Sequence, residues 1–544
     1  MRFWLILAAL GTSFTAPLFA QNPGPAITPD EIRAHVEFLA DDALEGRNAG
    51  TRGYDIAAQY VASQYRGMGL QPKGDDGSWK QIVNFREARF EGKPSLTLTI
   101  NGKSQSFTHG ENIIMSKSLL DKNLNLEAPL VFVGYGMDRP DLGLDDYAGL
   151  DVKDKIVVAL SGFPKGLNSE LGAHLSSVKS QMAEARGAVG IISVQTKQSM
   201  ERRPWERYQQ RANEPSLSWV APDGTPFDRA PGIRAGSTLS EAVSQILFSG
   251  ASSALDAILA EADAEGGRPK GFPLNATARF NSSNIWQSVS SPNVIAMLPG
   301  SDPALANEYV LMTAHLDGLG IAEAAEGEDN IRNGAMDNAA GVATMLEVAR
   351  QLAKSDVPPR RPILFAALTG EEDGLLGADY LARNPVVGDG EVVAVVNFDM
   401  PVLLYELQDI VAFGAENSSL GPMVDAAANS VNLKLSPDPL PEEGIFTRSD
   451  HYRFVQQGIP SVFLATGFGG EGGAQFGDFL KNHYHQISDD LALPFNWDAA
   501  ALFAQVNYQI VRTVADADEK PLWYDGNFFG EEFAGDMEKA PAPE

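Results

Sequence analysis

Residues 309–317 read YVLMTAHLD, an apolar run of strand length that ends in a histidine and an aspartate. Similar runs occur at 362–368 (PILFAAL) and 392–398 (VVAVVNF), and acidic residues follow each of them. Runs that are apolar on both faces are typical of buried, mostly parallel strands covered by helices. Because helical stretches such as 341–354 separate these runs, the sequence predicts an α/β fold with a mostly parallel, mixed sheet flanked by helices.

The polar residues that follow these runs are expected to meet at one edge of the sheet. In an open α/β sheet, reactive groups gather just beyond the carboxyl ends of the strands. A single site is therefore predicted from residues after three strands, namely His315, Asp317, Glu371, Glu372 and Asp399.

His315 and Asp317 occupy alternate positions, so their side chains share one side if the strand continues. His315 is then a candidate metal ligand. Asp317 would accept the other ring N–H of His315 and fix its tautomer, as metal-bound histidines usually require. For this pair alone, a strand-end histidine that is hydrogen-bonded by a neighbouring aspartate would be the better interpretation.

Glu371 and Glu372 are adjacent in TGEEDGLLG, and neighbouring residues on a turn point in different directions. One of them can bind a metal while the other faces the substrate. A carboxylate that is not a ligand can take a proton from water and later give it to a leaving amine. This division of roles suits hydrolysis.

Asp337 lies between Gly334 and Gly341 at the start of a predicted helix. A carboxylate is expected there as a helix cap. Its interpretation as a residue that bridges two metals depends on the other candidate ligands.

Two histidines compete for one ligand position in NHYHQISDD, at 482–490. We expect His485 to be the ligand and His483 to be a surface residue, with Asp489 as a possible partner of His485. His451 could polarise the scissile carbonyl group, or it could have a structural role near the site.

The composition restricts the available chemistry. The chain has no cysteine, which excludes thiol catalysis and disulfides and leaves His, Asp and Glu as metal ligands. The formal charge of −29 argues against nucleic acid or anionic lipid as partners, because both require a basic surface.

The first residues, MRFWLILAALGTSFTAPLFA, combine one basic residue, an apolar run and small residues that end at Ala20. This pattern is typical of a cleaved secretory signal, and the run is short for a membrane span. The sequence therefore predicts an exported protein, periplasmic or extracellular, that has no membrane anchor after signal cleavage.

Five ordered motifs together resemble the co-catalytic zinc aminopeptidase family, which includes bacterial leucyl aminopeptidase and glutamate carboxypeptidase II. The likeness also covers 44–72, 449–463 and an inserted protease-associated domain, and so nearly all of the mature chain. It implies a zinc-exopeptidase-like fold. The motifs are His315-x-Asp317, Asp337-Asn338-x-x-Gly341, Gly370-Glu371-Glu372-x-Gly374, Asn397-x-Asp399 and Tyr484-His485.

The resemblance implies two zinc ions per chain and peptide substrates, from which N-terminal residues are removed. Glu371 would be the general base, and Asp317 would complete the catalytic set. The implied zinc ligands are His315 and Asp399 for one ion, Glu372 and His485 for the other, and Asp337 shared by both.

A chain of 544 residues is too long for one ordinary core, so several folding units are expected. The insert is β-rich, and its segment 195–231, dense in Arg, Trp, Pro and Glu, is expected to be a surface excursion. The expected parts are a signal peptide (1–20), an N-terminal part of the peptidase domain (21–124), the protease-associated insert (125–280), the zinc peptidase domain (281–515) and an acidic tail (516–544).

Two other functions stay open. A carboxypeptidase or dipeptidase on the same scaffold would need a cationic pocket, for which Arg332, Arg448 and Arg453 are candidates. A binding protein that has lost its site, like the transferrin receptor ectodomain, would not need to keep all five ligands and Glu371.

Overall fold

The computed structural model describes residues 26–322 and 327–543; the expected signal peptide at 1–20 lies outside these residues. Strands of three or more residues in this part are β1 (Lys80–Ile100), β2 (Lys103–Thr108), β3 (Ile113–Met115), β4 (Asn123–Phe132), β5 (Ile156–Leu160), β6 (Gly190–Val194), β7 (Ser216–Trp219), β8 (Ala235–Leu239), β9 (Phe272–Leu298), β10 (Glu308–His315), β11 (Ile363–Leu368), β12 (Glu391–Phe398), β13 (Asp409–Phe413), β14 (Lys434–Ser436) and β15 (Ser461–Thr466).

The α-helices of the same part of the chain lie between and beyond these strands. They are α1 (Pro29–Leu39), α2 (Arg52–Met68), α3 (Ser169–Ser177), α4 (Lys179–Ala185), α5 (Lys197–Arg202), α6 (Trp205–Gln210), α7 (Glu241–Leu247), α8 (Leu255–Asp263), α9 (Ala340–Ala353), α10 (Leu376–Arg383), α11 (Leu420–Ser430), α12 (His451–Val455), α13 (Gly472–Asn482), α14 (Trp497–Asp516) and α15 (Phe528–Phe533).

One half of the sheet is mixed and mostly parallel, as predicted. Its strand order is β14-β13-β15-β12-β10-β11-β9. The neighbours β15, β12, β10 and β11 run parallel to one another. The strands β9 and β13 are antiparallel to their neighbours β11 and β15. The carboxyl ends of the three central strands therefore meet at one edge.

Helices cover both faces of this half. Met312 of β10 packs in the same core as Leu346 of α9, together with residues of α1, α2 and α14. The next residue along the strand, Leu311, faces the other side and packs with Leu381 of α10 and Phe454 of α12. Coverage of both faces explains why these strands are apolar at every position.

The other half of the sheet has its own hydrophobic core. Its strand order is β9-β4-β5-β6-β8-β3, and β4, β5, β6 and β8 are successively parallel. The core contains residues of the expected insert, such as Val158 and Ile192, but also Leu96 and Phe107.

The long strand β9 belongs to both halves, because it pairs with β4 near its beginning and with β11 at its end. The expected limits at 124/125 and 280/281 therefore fall inside β4 and β9. The domain limits themselves stay a prediction.

Two segments are more ordered than the sequence indicated. Within 195–231, β7 pairs with β1, and the buried Trp219 donates its indole N–H to Asp379 at 2.8 Å. In the expected tail, Trp523 and Phe529 are buried against Phe413 and other aromatic residues. Aromatic burial holds both segments on the fold.

The described residues contain no helix with the length and apolarity that a membrane span needs.

Arg47 ties the N-terminal segment to two loops of the main sheet. Its side chain is almost fully buried, and burial lowers its pKa to about 10. The guanidinium donates to the carbonyl oxygens of Leu316 at 3.0 Å, Asn333 at 2.6 Å and Gly334 at 3.0 Å, and to that of Leu39. One side chain therefore fixes the loop after β10 and the loop before α9.

Replacing Arg47 with Met should lower the free energy of unfolding by about 3 kcal/mol, because buried carbonyl groups lose their donor. Urea unfolding followed by circular dichroism measures this change. Arg52→Met, at an exposed position five residues later, should change it by less than about 0.5 kcal/mol. Equal unfolding midpoints for the two variants would contradict the structural role of Arg47.

Candidate metal centre

The predicted site residues meet at the carboxyl edge of the central strands. His315 is the last residue of β10, Asp399 directly follows β12, and Glu371 and Glu372 lie in the turn after β11. Because these strands are parallel neighbours, their ends deliver the side chains to one place.

Two groups of ligand atoms share Asp337. In the first group, Nε2 of His315 lies 3.2 Å from Oδ1 of Asp337 and 3.1 Å from Oδ1 of Asp399. In the second group, Nε2 of His485 lies 3.3 Å from Oδ2 of Asp337 and 3.3 Å from Oε2 of Glu372. The ligand atoms of each group lie within 4.8 Å of one another. Each group could hold one ion, with Asp337 between them.

The loop before α9 positions Asp337. Gly334 adopts a left-handed conformation with φ 59°, and a Cβ atom there would lie 2.2 Å from the carbonyl oxygen of Asp337. The carboxylate of Asp489 accepts hydrogen bonds from the backbone N–H groups of Met336 at 2.8 Å and Asp337 at 3.0 Å. Asp489 thus supports the Asp337 loop, whereas the sequence suggested it as a partner of His485.

Asp317 differs from its expected role. Nδ1 of His315 lies 3.1 Å from the backbone carbonyl oxygen of Asp317, but 4.0 Å from its carboxylate. The carboxylate instead accepts the backbone N–H groups of Glu371 at 3.1 Å and Glu372 at 3.3 Å. It therefore fixes the turn that carries both glutamates. Strand spacing could not reveal this contact, which joins two different loops.

A buried chain of hydrogen bonds orients Asp399. The hydroxyl of Thr313 donates to Asn397 at 2.6 Å, and the amide of Asn397 donates to Ser449 at 2.8 Å. The hydroxyl of Ser449 then donates to Oδ2 of Asp399 at 2.5 Å, which leaves Oδ1 facing His315. Sequence reasoning missed Ser449, although the polar Asn397 inside an apolar strand was a signal of a buried partner.

Asn338 joins the loop after β12 to the start of α9. Its side-chain amide donates to the carbonyl oxygen of Phe398 at 2.9 Å, and its side-chain oxygen accepts from Gly341 at 3.0 Å and Met400 at 3.2 Å. A Cβ atom at position 341 would lie 2.1 Å from this oxygen, so the close approach requires glycine. The pairing of Asn338 and Gly341 in the sequence is thereby explained.

Glu371 belongs to neither ligand group, yet it lines the same cavity as Asp337, Glu372, Asp399 and His485. The adjacent glutamates are thus divided, one among the ligand atoms and one beside them. A carboxylate in this position could exchange protons with a molecule in the cavity.

The electrostatics of the cluster fit bound cations. Burial raises the pKa of Glu371 and Glu372 well above the usual value, and the nearby carboxylates of Asp399 and Asp337, respectively, raise it further. A cation would favour the ionised forms of these acids. Imidazole nitrogens with carboxylate oxygens, in a chain without thiols, form a donor set that suits a divalent transition-metal ion.

The cavity over the cluster has a volume of about 670 Å³. Part of its wall is apolar, with Phe413, Phe463, Phe468 and Phe476 among its lining residues. A polar reaction centre therefore adjoins a space that suits an apolar side chain.

The other candidate histidines lie outside the cluster. His483 is bonded to the hydroxyl of Ser488 at 2.9 Å and does not line the cavity. His451 is fully buried between the rings of Phe446 and Phe463, and burial lowers its pKa to about 3. His451 therefore has a structural position and cannot contact a substrate in this cavity.

Of the three candidate arginines, two line a cavity and one does not. Arg448 lines the cavity, and both Arg448 and Arg332 line a second cavity beside it. Arg453 lines neither, because it turns inward and donates to the carbonyl oxygen of Gly374 at 3.1 Å.

The sequence is similar to a known peptidase family and to several known proteins. Residues 293–511 match the description "Peptidase family M28". Aminopeptidase Y of Saccharomyces cerevisiae is 29% identical over 250 residues, which cover 44% of this chain and 42% of that protein. The alkaline phosphatase isozyme conversion protein of Escherichia coli is 35% identical over 130 residues, which cover 23% of this chain and 35% of that protein. The chain thus spans less than half the length of these relatives.

A solved aminopeptidase structure from an Aneurinibacillus species superposes with a TM-score of 0.52 and 18% identity, covering 91% of this chain and 96% of that one. At this identity the likeness shows the fold alone. The segment that matches the family contains every residue of both ligand groups and Glu371. Residues 293–511, which hold the whole candidate centre, therefore match the description of peptidase family M28.

Proposed function

We propose that this chain is an exported, zinc-dependent exopeptidase, namely an aminopeptidase that removes N-terminal residues from peptides. The observation that carries the proposal is the pair of ligand groups sharing Asp337, with Glu371 beside them in the same cavity. A binding protein would have no need of a complete ligand set together with a separate carboxylate.

The arrangement suits hydrolysis of a peptide bond. Zinc ions in the two groups would polarise the scissile carbonyl group and lower the pKa of water. Glu371 takes a proton from the attacking water at its carboxylate and delivers it to the nitrogen of the leaving amine. Asp317 keeps Glu371 in place through the backbone N–H that it accepts.

The cavity supports the removal of an N-terminal residue. The acids Asp337, Glu372 and Asp399 line it, and a zinc ion held by them would bind the free amine of a peptide. The apolar wall that contains Phe413 and Phe468 accommodates the side chain of the residue released. Export is supported by the apolar N-terminal run and the small residues that end at Ala20.

The first test compares zinc content with cleavage of free-amine and N-blocked peptides. We expect about two zinc ions per chain, and cleavage that requires a free amine and is lost in chelator. Zinc restores activity after the chelator is removed. Cleavage only of peptides with a blocked amine and a free carboxylate would point to a carboxypeptidase, and a protein without zinc would contradict a metallopeptidase.

Glu371→Gln should keep both zinc ions while kcat falls by at least about 100-fold, because the base is removed and the ligands remain. Zinc content and steady-state kinetics measure the two effects. Glu519→Gln, at an exposed position outside the cavity, is the matched control and should behave as the unchanged protein. Loss of zinc in Glu371→Gln would instead make Glu371 a ligand.

His485→Ala should retain about one zinc ion after dialysis, because one ligand group loses its only imidazole. His483→Ala, two residues earlier, should retain about two. Elemental analysis of both proteins distinguishes them. The opposite pattern would exchange the roles of the two histidines.

A further inference from the structure

A second cavity of about 650 Å³ adjoins the metal centre. Both cavities are lined by Arg202, Arg207, Arg448, Tyr484 and His485. The two spaces are therefore parts of one cleft, in which His485 marks the metal end.

Basic residues dominate the second cavity. Its lining includes six arginines and Lys117, against two carboxylates, those of Glu214 and Glu443. We call this part of the cleft the cationic cleft. An excess of positive charge beside an acidic metal centre is unexpected in a chain with a net charge of −29, so general solubility does not explain it.

Four of the arginines come from one segment, which runs from α5 to just after α6 and carries Arg202, Arg203, Arg207 and Arg211. The segment is part of 195–231. Contacts hold it at the mouth of the cleft, since Arg202 donates to the carbonyl oxygen of Glu442 at 2.5 Å and Trp205 donates to that of Glu111 at 2.9 Å.

The acids of the cationic cleft are shared between basic partners. Glu443 lies 3.5 Å from the guanidinium of Arg202 and 3.4 Å from that of Arg448. Glu214 similarly lies between Arg211, at 2.5 Å, and Arg332, at 3.8 Å.

Arg207 is exposed and makes no ion pair with any residue in 26–322 or 327–543. It also lines both cavities. Positive charge without a counterion therefore faces the cleft beside the metal centre.

We infer that the cationic cleft is a subsite for a carboxylate of the substrate, and that Arg207 and Arg448 bind this carboxylate. The inference rests on the proposed function, because it takes the metal centre as the place of cleavage. The metal centre would take the amine end of a peptide, and the arginines attract a carboxylate beyond the scissile bond. A guanidinium matches a carboxylate through two parallel hydrogen bonds.

The carboxylate has two possible sources, the C-terminus of a short peptide or an acidic side chain just after the cleaved bond. The test therefore uses a Leu-Ala-Ala peptide with a free C-terminus, its C-terminal amide, and the amide of Leu-Ala-Asp. We expect kcat/KM to be about tenfold higher for at least one of the two carboxylates than for the neutral amide, mainly through a lower KM. Higher ionic strength should reduce this preference, because salt screens exposed charges.

Arg207→Ala should reduce the ratio of kcat/KM for acid and amide to about three or less, and Arg207→Glu should reduce it further. Arg66→Ala is the matched control, because Arg66 is exposed on α2 and lines neither cavity. It should keep the ratio of the unchanged protein. A preference for the free C-terminus or for the aspartyl side chain identifies the source of the carboxylate.

Calorimetry measures the affinity of the Glu371→Gln variant for the same peptides, and so tests the subsite without cleavage. The variant could bind a carboxylate peptide more tightly than the neutral amide while the unchanged enzyme cleaves neither. That result would contradict the proposed function but keep the carboxylate subsite. Cleavage with equal kcat/KM for all three peptides, or an acid preference that survives in Arg207→Glu, would overturn the subsite while keeping the peptidase.

Discussion

The carboxylate of Asp337 faces two histidines at once. Several contacts around the cavity hold the loop that carries it. One oxygen lies 3.2 Å from His315 and the other 3.3 Å from His485, which come from distant parts of the chain. Buried acids are costly unless they gain hydrogen bonds or cations. Three contacts hold the Asp337 loop. Asp489 accepts backbone N–H groups of the loop, the buried Arg47 donates to its carbonyl oxygens, and the amide of Asn338 donates to the carbonyl oxygen of Phe398.

The cleft has two electrostatic ends. Acids from strand ends form the metal end, where the ligand atoms and the carboxylate of Glu371 line the same cavity. Arginines from the 195–231 segment, together with Arg332 and Arg448, form the other end.

Much of the fold was predictable because its strongest signal is local. The runs at 309–315, 362–368 and 392–398 are apolar on both faces, and only a sheet covered on both sides requires this. The limits of the second half were not predictable in the same way. β9 is a single strand that belongs to both halves. It pairs with β4 near its beginning and with β11 at its end, and its residue pattern does not mark this change of partner.

The chemical groups at the carboxyl edge could be assigned from the sequence, because residue type and strand end are properties of the local chain. His315, Glu371, Glu372 and Asp399 could be assigned there, and His485 could be preferred over His483 from its motif. The hydrogen bonds of Asp317, Asp489 and Ser449, and the position of Arg207 in the cleft, became visible only in the folded chain. Their roles depend on hydrogen bonds and charges between residues far apart in sequence, and such contacts leave no periodic pattern from which they could be read.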